Sequence, residues 1–200
     1  SIIDLSGIDQ LRFHPRCYYR PAEDDVPGVR EAWPAMIAAV TDNEGTITGV
    51  HRTWLDPQSH DKAAVAYPRR AMGHLLGSGV RFGKADGVMV AGEGLEALLA
   101  LRQVMPSIPM IAGLSAAHLT AIQFPAALRC LYVARDDDPA GAAALSTLVE
   151  RCEPLGIAVL PLEPRLDDFN SDLTAYGHER LAAAIRVQLS AADAVRFLKE

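Results

Sequence analysis

The stretch LYVARDDDPAG, residues 131–141, carries a short apolar run through Arg135 into three aspartates. An earlier stretch, VMVAGEG at residues 88–94, leads a similar run into Glu93 between two glycines. Short apolar runs bounded by turn residues are typical of buried parallel strands. Open α/β sheets bind ligands at the carboxyl ends of such strands. The sequence therefore predicts that Glu93, Asp136 and Asp138 gather at one edge of a parallel sheet.

Strand and helix patterns alternate on both sides of this stretch. Further strands are expected at residues 110–112 and 157–160, and Asp138-Pro139 reads as the cap and first residue of a helix that reaches Cys152. The other helices are expected at residues 95–105, from Ser115 to about 124, and in an alanine-rich tail. The predicted fold is α/β, a Rossmann-like, doubly wound parallel sheet of about four strands flanked by helices.

The first 86 residues follow a different pattern. Residues 35–41 and 47–54 surround a turn cluster and predict a β-hairpin, whereas residues 14–17 are expected to form a loop and residues 73–83 a connector. We therefore divide the chain into an N-terminal α+β lobe at residues 1–86, a catalytic domain at 87–178 and a helical tail at 179–200.

Charge is unevenly distributed along the chain. The net charge of −6 argues against a generally basic surface for nucleic acid, and residues from 87 onward hold nine Lys/Arg against fourteen acids. The segment 50–84 has only two acids, against six basic residues: Arg52, Lys62, Arg69, Arg70, Arg81 and Lys84. This segment is either a groove for phosphates or a solvated loop with scattered basic side chains.

Carboxylates crowded at one sheet edge repel one another and raise each other's pKa unless a divalent cation neutralises them. Oxygen ligands of this kind suit Mg²⁺ or Mn²⁺. A third acidic cluster, residues 167–172, follows the last predicted strand and adds Asp168 and Asp172. Taken alone, Glu93 is more simply explained as a surface turn residue, and Asp138 is equally well explained as a helix cap, whereas Asp137 is expected to face solvent.

Three motifs in this order resemble those of the Toprim domain, which bacterial primases, topoisomerases and some nucleases share. They are EGLEAL at residues 93–98, DDDPAG at 136–141 and DFNSDL at 168–173. The resemblance covers about residues 87–175 and is greatest to plasmid and phage primase–helicase proteins. Residues 11–15 and 35–57 also resemble the segment that precedes Toprim in those proteins.

The resemblance implies a role for each acidic residue. Glu93 would be the general acid or base, and Asp136, Asp138 and Asp168 would hold Mg²⁺. Glu96 and Asp172 occupy secondary acidic positions, although Asp172 stands where the family has a contiguous Asn-Asp. Arg135 precedes the aspartates where the family has a small or apolar residue, and it could pair with a carboxylate or contact a phosphate.

The function implied is primase-type synthesis of RNA primers in plasmid, phage or mobile-element replication. Its partners would be single-stranded DNA, nucleoside triphosphates and a helicase or zinc-binding module, in trans or in a longer parent chain. A Toprim nuclease and an inactive nucleic-acid-binding module remain open as alternatives. No segment reads as a membrane span or a secretory leader, so a cytoplasmic location is expected.

Overall fold

Two five-stranded β-sheets, one antiparallel and one mainly parallel, organise the chain in the computed structural model, which describes residues 2, 4–5, 7–59 and 61–198. The antiparallel N-terminal sheet consists of β1 (Leu11–Tyr18), β2 (Ala32–Thr41), β3 (Ile47–Asp56), β4 (Asp61–Lys62) and β5 (Arg69–Gly73). Strands β2 and β3 form the predicted hairpin, and β3 also pairs with β4 and β5.

The parallel sheet follows in the chain. It consists of β6 (Val80–Phe82), β7 (Val88–Gly92), β8 (Met110–Ala112), β9 (Cys130–Ala134) and β10 (Ala158–Leu162), in the order β10-β9-β7-β8-β6. Its helices are α1 (Leu95–Val104), α2 (Ala116–Ala121), α3 (Pro139–Cys152), α4 (Phe169–Arg186) and α5 (Ala191–Phe197). The predicted α/β fold with four parallel strands is confirmed, and β6 adds a fifth, antiparallel strand.

Two segments expected to be irregular are strands. Residues 14–17 belong to β1, and the register of β1 against β2 shifts between His14 and Cys17. An edge strand with a bulge tolerates Pro15, which cannot donate a backbone hydrogen bond. The connector at 73–83 contains β6, whose three residues are too few for a pattern to be recognised. These two predictions were wrong.

Several element ends differ from the predicted ones. Asp138 caps α3 and Pro139 is its first residue, as predicted. Strand β10, by contrast, runs to Leu162, and α2 already ends at Ala121. Helix α4 begins at Phe169, so it crosses the expected boundary at residue 178, and the non-helical Gly177 interrupts it beside that boundary. The last two residues of the expected tail, 199–200, lie outside the described residues.

The parallel sheet is covered on both faces. Helices α1, α4 and α5 contribute to the larger apolar core on one face, and α2 and α3 pack against the other. The two sheets are joined by a bridge in which the Thr41 N–H donates to the Gly79 carbonyl (2.9 Å) and the Gly79 N–H donates to Thr41 (3.2 Å). None of the helices in the described part of the chain has the length and apolarity that crossing a membrane requires.

Candidate active site

Strand register brings the acidic motifs together. Gly92 at the end of β7 lies opposite Ala134 at the end of β9, and Ala134 lies opposite Leu162 of β10. The residues that follow, Glu93 and Asp136 among them, therefore leave the sheet at one edge. A methyl group on Gly92 would lie 3.1 Å from the Ala134 carbonyl, so glycine at this position permits the close pairing of β7 and β9.

A cavity of about 540 Å³ lies at this edge, between the parallel sheet and the N-terminal sheet. Its basic residues come from strands β4 and β5 of the N-terminal sheet, and its acidic residues come from the part of the chain that follows β7. Its lining residues are His51, Lys62, Arg69, Arg70, Ala71, Leu75, Glu93, Gly94, Leu95, Glu96, Ala97, Leu114, Ser115, His118, Asp136, Asp168 and Asn170.

The loop of three aspartates is fixed by its backbone. The Asp137 N–H donates to the Asp167 carbonyl (2.9 Å), which ties this loop to the third acidic motif. Gly141 packs so closely that a Cβ there would lie 2.5 Å from the Asp136 carbonyl oxygen. The glycine of the DDDPAG motif therefore allows the first turn of α3 to approach the backbone of Asp136.

Two of the predicted metal ligands are also helix caps. Oδ1 of Asp138 accepts the Gly141 N–H (2.6 Å), and Oδ1 of Asp168 accepts the Ser171 N–H (2.6 Å). Asp168 lines the cavity, whereas Asp138 is exposed beside it. Each keeps a second carboxylate oxygen that these caps do not engage.

The pKa values of Asp136 and Glu93 show that the acidic side chains lie close enough to influence one another. Burial, followed by the charges of Glu93, Asp168, Asp138 and Glu96, raises the pKa of Asp136 to about 6. The pKa of Glu93 is also raised, chiefly by burial and then by Asp138, while Arg69 opposes the shift. These carboxylates repel one another, and a bound cation would relieve that repulsion.

The donor set fits Mg²⁺ or Mn²⁺. All of the nearby acidic donors are carboxylate oxygens, which these hard cations prefer. Within the described residues, however, no three or more His, Cys, Asp or Glu side chains are already arranged as a metal centre. Binding an ion would therefore require rotation of the Asp136, Asp168 or Glu93 side chains.

Asp172 lies apart from this cluster. It is only 2% exposed, and its two carboxylate oxygens accept the backbone N–H groups of Arg165 (2.8 Å) and Leu166 (2.9 Å). Asp172 therefore holds the loop between β10 and α4 and does not line the cavity.

The six predicted nucleic-acid-binding residues separate into groups. Lys62 and Arg69 line the cavity and lie 3.9 and 3.7 Å from Oε1 of Glu96. Arg70 also lines it, but its guanidinium packs over the Tyr19 ring (4.6 Å) and donates to the Tyr19 hydroxyl (3.0 Å). Arg52 packs over Trp54, 4.9 Å from the ring centroid.

Arg81 and Lys84 lie in a different cavity, beside the turn between β2 and β3. The Arg81 side chain donates to the carbonyls of Thr41 (3.3 Å) and Gln123 (3.0 Å), which gives it a structural role in joining the sheets. Arg81 and Lys84 therefore lie away from the acidic cluster, although they are close to Arg69 in the sequence.

Arg135, the departure from the family pattern, forms ion pairs with acidic residues outside the cavity. Its guanidinium contacts Glu163 (Nη2 at 3.0 Å) and Asp137 (Nη2 at 3.7 Å). Asp137 is 65% exposed at its side chain, in agreement with the expectation that it faces solvent.

Several cavity residues were not recognised from the sequence. His51 is 8% exposed with no partner for Nδ1 among the described residues, and burial lowers its pKa. Ser115 Oγ lies 3.1 Å from Nδ1 of His118, and Leu114 has a positive φ of 73° while its N–H donates to the Glu93 carbonyl. A non-glycine residue in that conformation is strained and is often found at a functional site. Three polar residues in a row, 51–53, interrupt any apolar-polar alternation in β3, so the sequence carried no signal for His51.

Comparison with known families agrees with this arrangement. Residues 88–179 match the Toprim domain family, and residues 2–82 match a domain family of unknown function (DUF7146). The second part of the chain therefore matches a Toprim domain in sequence, and its fold is one that solved primase structures share. No curated protein matches the sequence.

Solved structures of primases share the fold. The primase fragment of the bacteriophage T7 primase-helicase is 16% identical over 80% of this chain and 64% of its own, with a TM-score of 0.53. A DNA primase domain from Pseudomonas aeruginosa is 19% identical, covering 82% and 56%, with a TM-score of 0.54. The DnaG primase catalytic domain bound to single-stranded DNA is 16% identical, covering 78% and 52%, also with a TM-score of 0.54. The chain thus spans 52 to 64% of the length of these structures.

Proposed function

We propose that this chain is the catalytic part of a primase, which joins ribonucleotides on a single-stranded DNA template in the presence of Mg²⁺ or Mn²⁺. The observation that carries the proposal is one cavity in which Glu93, Asp136 and Asp168 face Lys62 and Arg69. Phosphoryl transfer requires a cation, which carboxylates hold, and basic side chains that position the phosphates. This cavity contains both kinds of side chain.

Each side chain would have a distinct task. Asp136 and Asp168, with the second oxygen of Asp138, would hold the cation, which supplies charge neutralisation at the reacting phosphate. Lys62 and Arg69 would orient the phosphates of the incoming nucleotide. Glu93, whose raised pKa brings it closer to neutral pH, would accept the proton of the attacking hydroxyl.

The similar structures support this choice among Toprim activities. They are primases, and one of them is bound to single-stranded DNA. The bacteriophage T7 relative is a primase-helicase, so we propose that a helicase, on the same chain or another, also serves this domain. A zinc-binding module, a cytoplasmic location and a role in plasmid, phage or mobile-element replication belong to the same proposal.

The test is template-dependent synthesis. The protein is incubated with single-stranded DNA, labelled ribonucleoside triphosphates and Mg²⁺, and products are resolved by length beside a plasmid-nicking reaction. Glu93→Gln and Asp136→Asn are expected to reduce synthesis by about 100-fold or more, because the first removes the proton acceptor and the second removes a ligand of the cation. Circular dichroism checks that both variants stay folded.

Asp137→Asn is the matched control, since this neighbouring carboxylate is exposed and pairs with Arg135. It should retain activity. Nicking without synthesis would assign the domain to the Toprim nucleases instead, and the absence of both activities would favour a binding module. Full synthesis by Glu93→Gln would contradict the proposed mechanism.

A further inference from the structure

Four residues form a row across one face of the N-terminal sheet. Phe13 of β1 lies opposite Met36 of β2, Met36 lies opposite Thr53 of β3, and Thr53 lies opposite Arg69 of β5. Directly opposed residues in a sheet project to the same face. With neighbouring strands about 4.8 Å apart, the row extends over about 14 Å, from an aromatic ring to a cation.

The aromatic end of the row opens into a second cavity of about 610 Å³. Apolar side chains dominate its lining, among them Phe13, Met36, Leu55 and Leu99. Lys62, Glu96 and Asn170 line both this cavity and the active site. The two cavities are therefore neighbouring parts of one cleft.

Two side chains in the apolar cavity have features that a bound ligand would account for. Thr53 is 3% exposed, and its Oγ1 has no hydrogen-bond partner within the described residues. Burying a hydroxyl without a partner is costly unless a ligand supplies one. The Phe13 ring, by contrast, is 68% exposed at the mouth of the cavity, where it is free to stack on a flat aromatic group.

Basic and acidic side chains are distributed unevenly along the cleft. Arg69 lies at the active-site end and Lys62 lies where the two cavities meet, whereas Asp56 and Asp61, which are paired across β3 and β4, line the apolar cavity. Carboxylates repel phosphates, so an anionic ligand places its phosphates near Arg69 and an uncharged part in the apolar cavity.

We propose that the apolar cavity binds the base of a nucleoside triphosphate, with the base stacked on Phe13 and hydrogen-bonded to Thr53. The triphosphate then lies beside Lys62 and Arg69, and for that part the inference rests on the proposed function. The protein accordingly recognises the nucleotide itself, before any template base pairs with it.

The test compares binding of ATP and of inorganic tripolyphosphate, both with Mg²⁺ and without DNA, by isothermal titration calorimetry. Tripolyphosphate carries the charge but has no base. Phe13→Ala is expected to weaken ATP binding about tenfold and to leave tripolyphosphate binding unchanged, because only ATP loses a stacking partner. Tyr18→Ala is the matched control, an aromatic residue of the same strand that is also exposed (59%); it should change neither affinity.

Thr53→Val gives a second, independent readout. Replacing an unpartnered buried hydroxyl with a methyl group is expected to raise the melting temperature of the free protein while weakening ATP binding several-fold. Thr48→Val, on the same strand, removes a hydroxyl that donates to the Val40 carbonyl (3.4 Å) and should not affect ATP binding. A lower melting temperature for Thr53→Val would mean that the hydroxyl has a partner in the protein, which contradicts the inference.

The outcomes separate this inference from the proposed function. Loss of ATP binding alone in Phe13→Ala supports the base site even if the protein synthesises no primers. Equal loss of ATP and tripolyphosphate binding, or no loss of either, overturns it even if primers are made. A single-stranded oligonucleotide titrated in parallel tests the other source of bases, and an effect of Phe13→Ala on the oligonucleotide alone would also overturn the assignment.

Discussion

Nη1 of Arg69 on β5 lies 3.7 Å from Oε1 of Glu96 in the first turn of α1, so an ion pair links the N-terminal sheet to helix α1 across the candidate active site. Lys62 approaches the same oxygen at 3.9 Å. Both basic side chains are at least 40% exposed, and an ion pair of this kind adds little to stability. The ion pair matters for ligand binding, because Glu96 competes with a phosphate for the side chains of Lys62 and Arg69.

Glu96→Gln is predicted to strengthen tripolyphosphate binding several-fold at low salt, because it removes a carboxylate that competes for Arg69 and Lys62. Arg69→Gln is predicted to weaken the same binding. Both effects should shrink as the salt concentration rises. Calorimetry measures the affinities, and Glu163→Gln, which removes the partner of Arg135, is the control. Weaker binding by Glu96→Gln would show that Glu96 itself helps to hold the cation.

The pKa of Asp136 predicts how stability depends on pH. In the folded protein this pKa is about 6, against 3.8 as the ordinary value, so between these pH values the folded chain keeps a proton that the unfolded chain releases. Stability conferred by that proton is fully present below pH 4 and is lost as the pH rises through 6.

Asp136→Asn should remove this pH dependence. Above pH 6 and without divalent cations, the variant is expected to be about 1 to 3 kcal/mol more stable than the unsubstituted protein, because no buried charge remains at this position. Urea unfolding at pH 4.5 and 7.5 measures the difference. Equal slopes with pH for the two proteins would mean that burial and the neighbouring carboxylates do not raise the pKa of Asp136.

Gly141→Ala is predicted to disturb the aspartate loop. The added Cβ would lie 2.5 Å from the Asp136 carbonyl oxygen, so the backbone of Asp136 must move. We expect a loss of about 1 to 3 kcal/mol in the free energy of unfolding, together with weaker Mn²⁺ binding. Ala142→Ser, an exposed change in the same turn of α3, is the control. Normal Mn²⁺ binding by Gly141→Ala would show that the site tolerates displacement of this loop.

Asp172→Ala is predicted to reduce stability rather than chemistry. The substitution leaves the N–H groups of Arg165 and Leu166 without their acceptors, at a cost of about 2 to 4 kcal/mol in the free energy of unfolding. Asp167→Ala, at an exposed position in the preceding turn, should cost little. Denaturant unfolding of both variants distinguishes them, and equal stability would contradict the structural role of Asp172.

The parallel sheet was predictable because its strands are apolar runs that end in turn residues. An acid follows β7 directly, and acids follow β9 after one residue, Arg135. The helix caps Asp138 and Ser115 were equally visible, since each precedes a helical pattern. Strand β1 was missed because it lies at an edge, carries Pro15 and is largely exposed. Helix α4 was placed too late because its cap, Asp168, was interpreted only as a metal ligand.

The site was harder to predict where it depends on contacts between the sheets. Glu93 and Asp136 share an edge because of strand order, which the sequence pattern implies. His51 and Thr53 are buried in the folded protein and line cavities, which no pattern in the sequence of β3 indicates. Arg81 and Lys84 were grouped with Arg69 by their position in the chain, but the backbone between them turns toward a different cavity.

The most direct test of the central claim, that the carboxylates around Asp136 bind a divalent cation, is Mn²⁺ binding followed by electron paramagnetic resonance at pH 7.5. The unsubstituted protein, Asp136→Asn and the control Asp137→Asn are titrated side by side. Asp136→Asn is predicted to weaken binding by more than about tenfold, the loss typical even of groups that only support a metal ligand, while Asp137→Asn binds normally. Equal affinity in all three proteins would contradict the account.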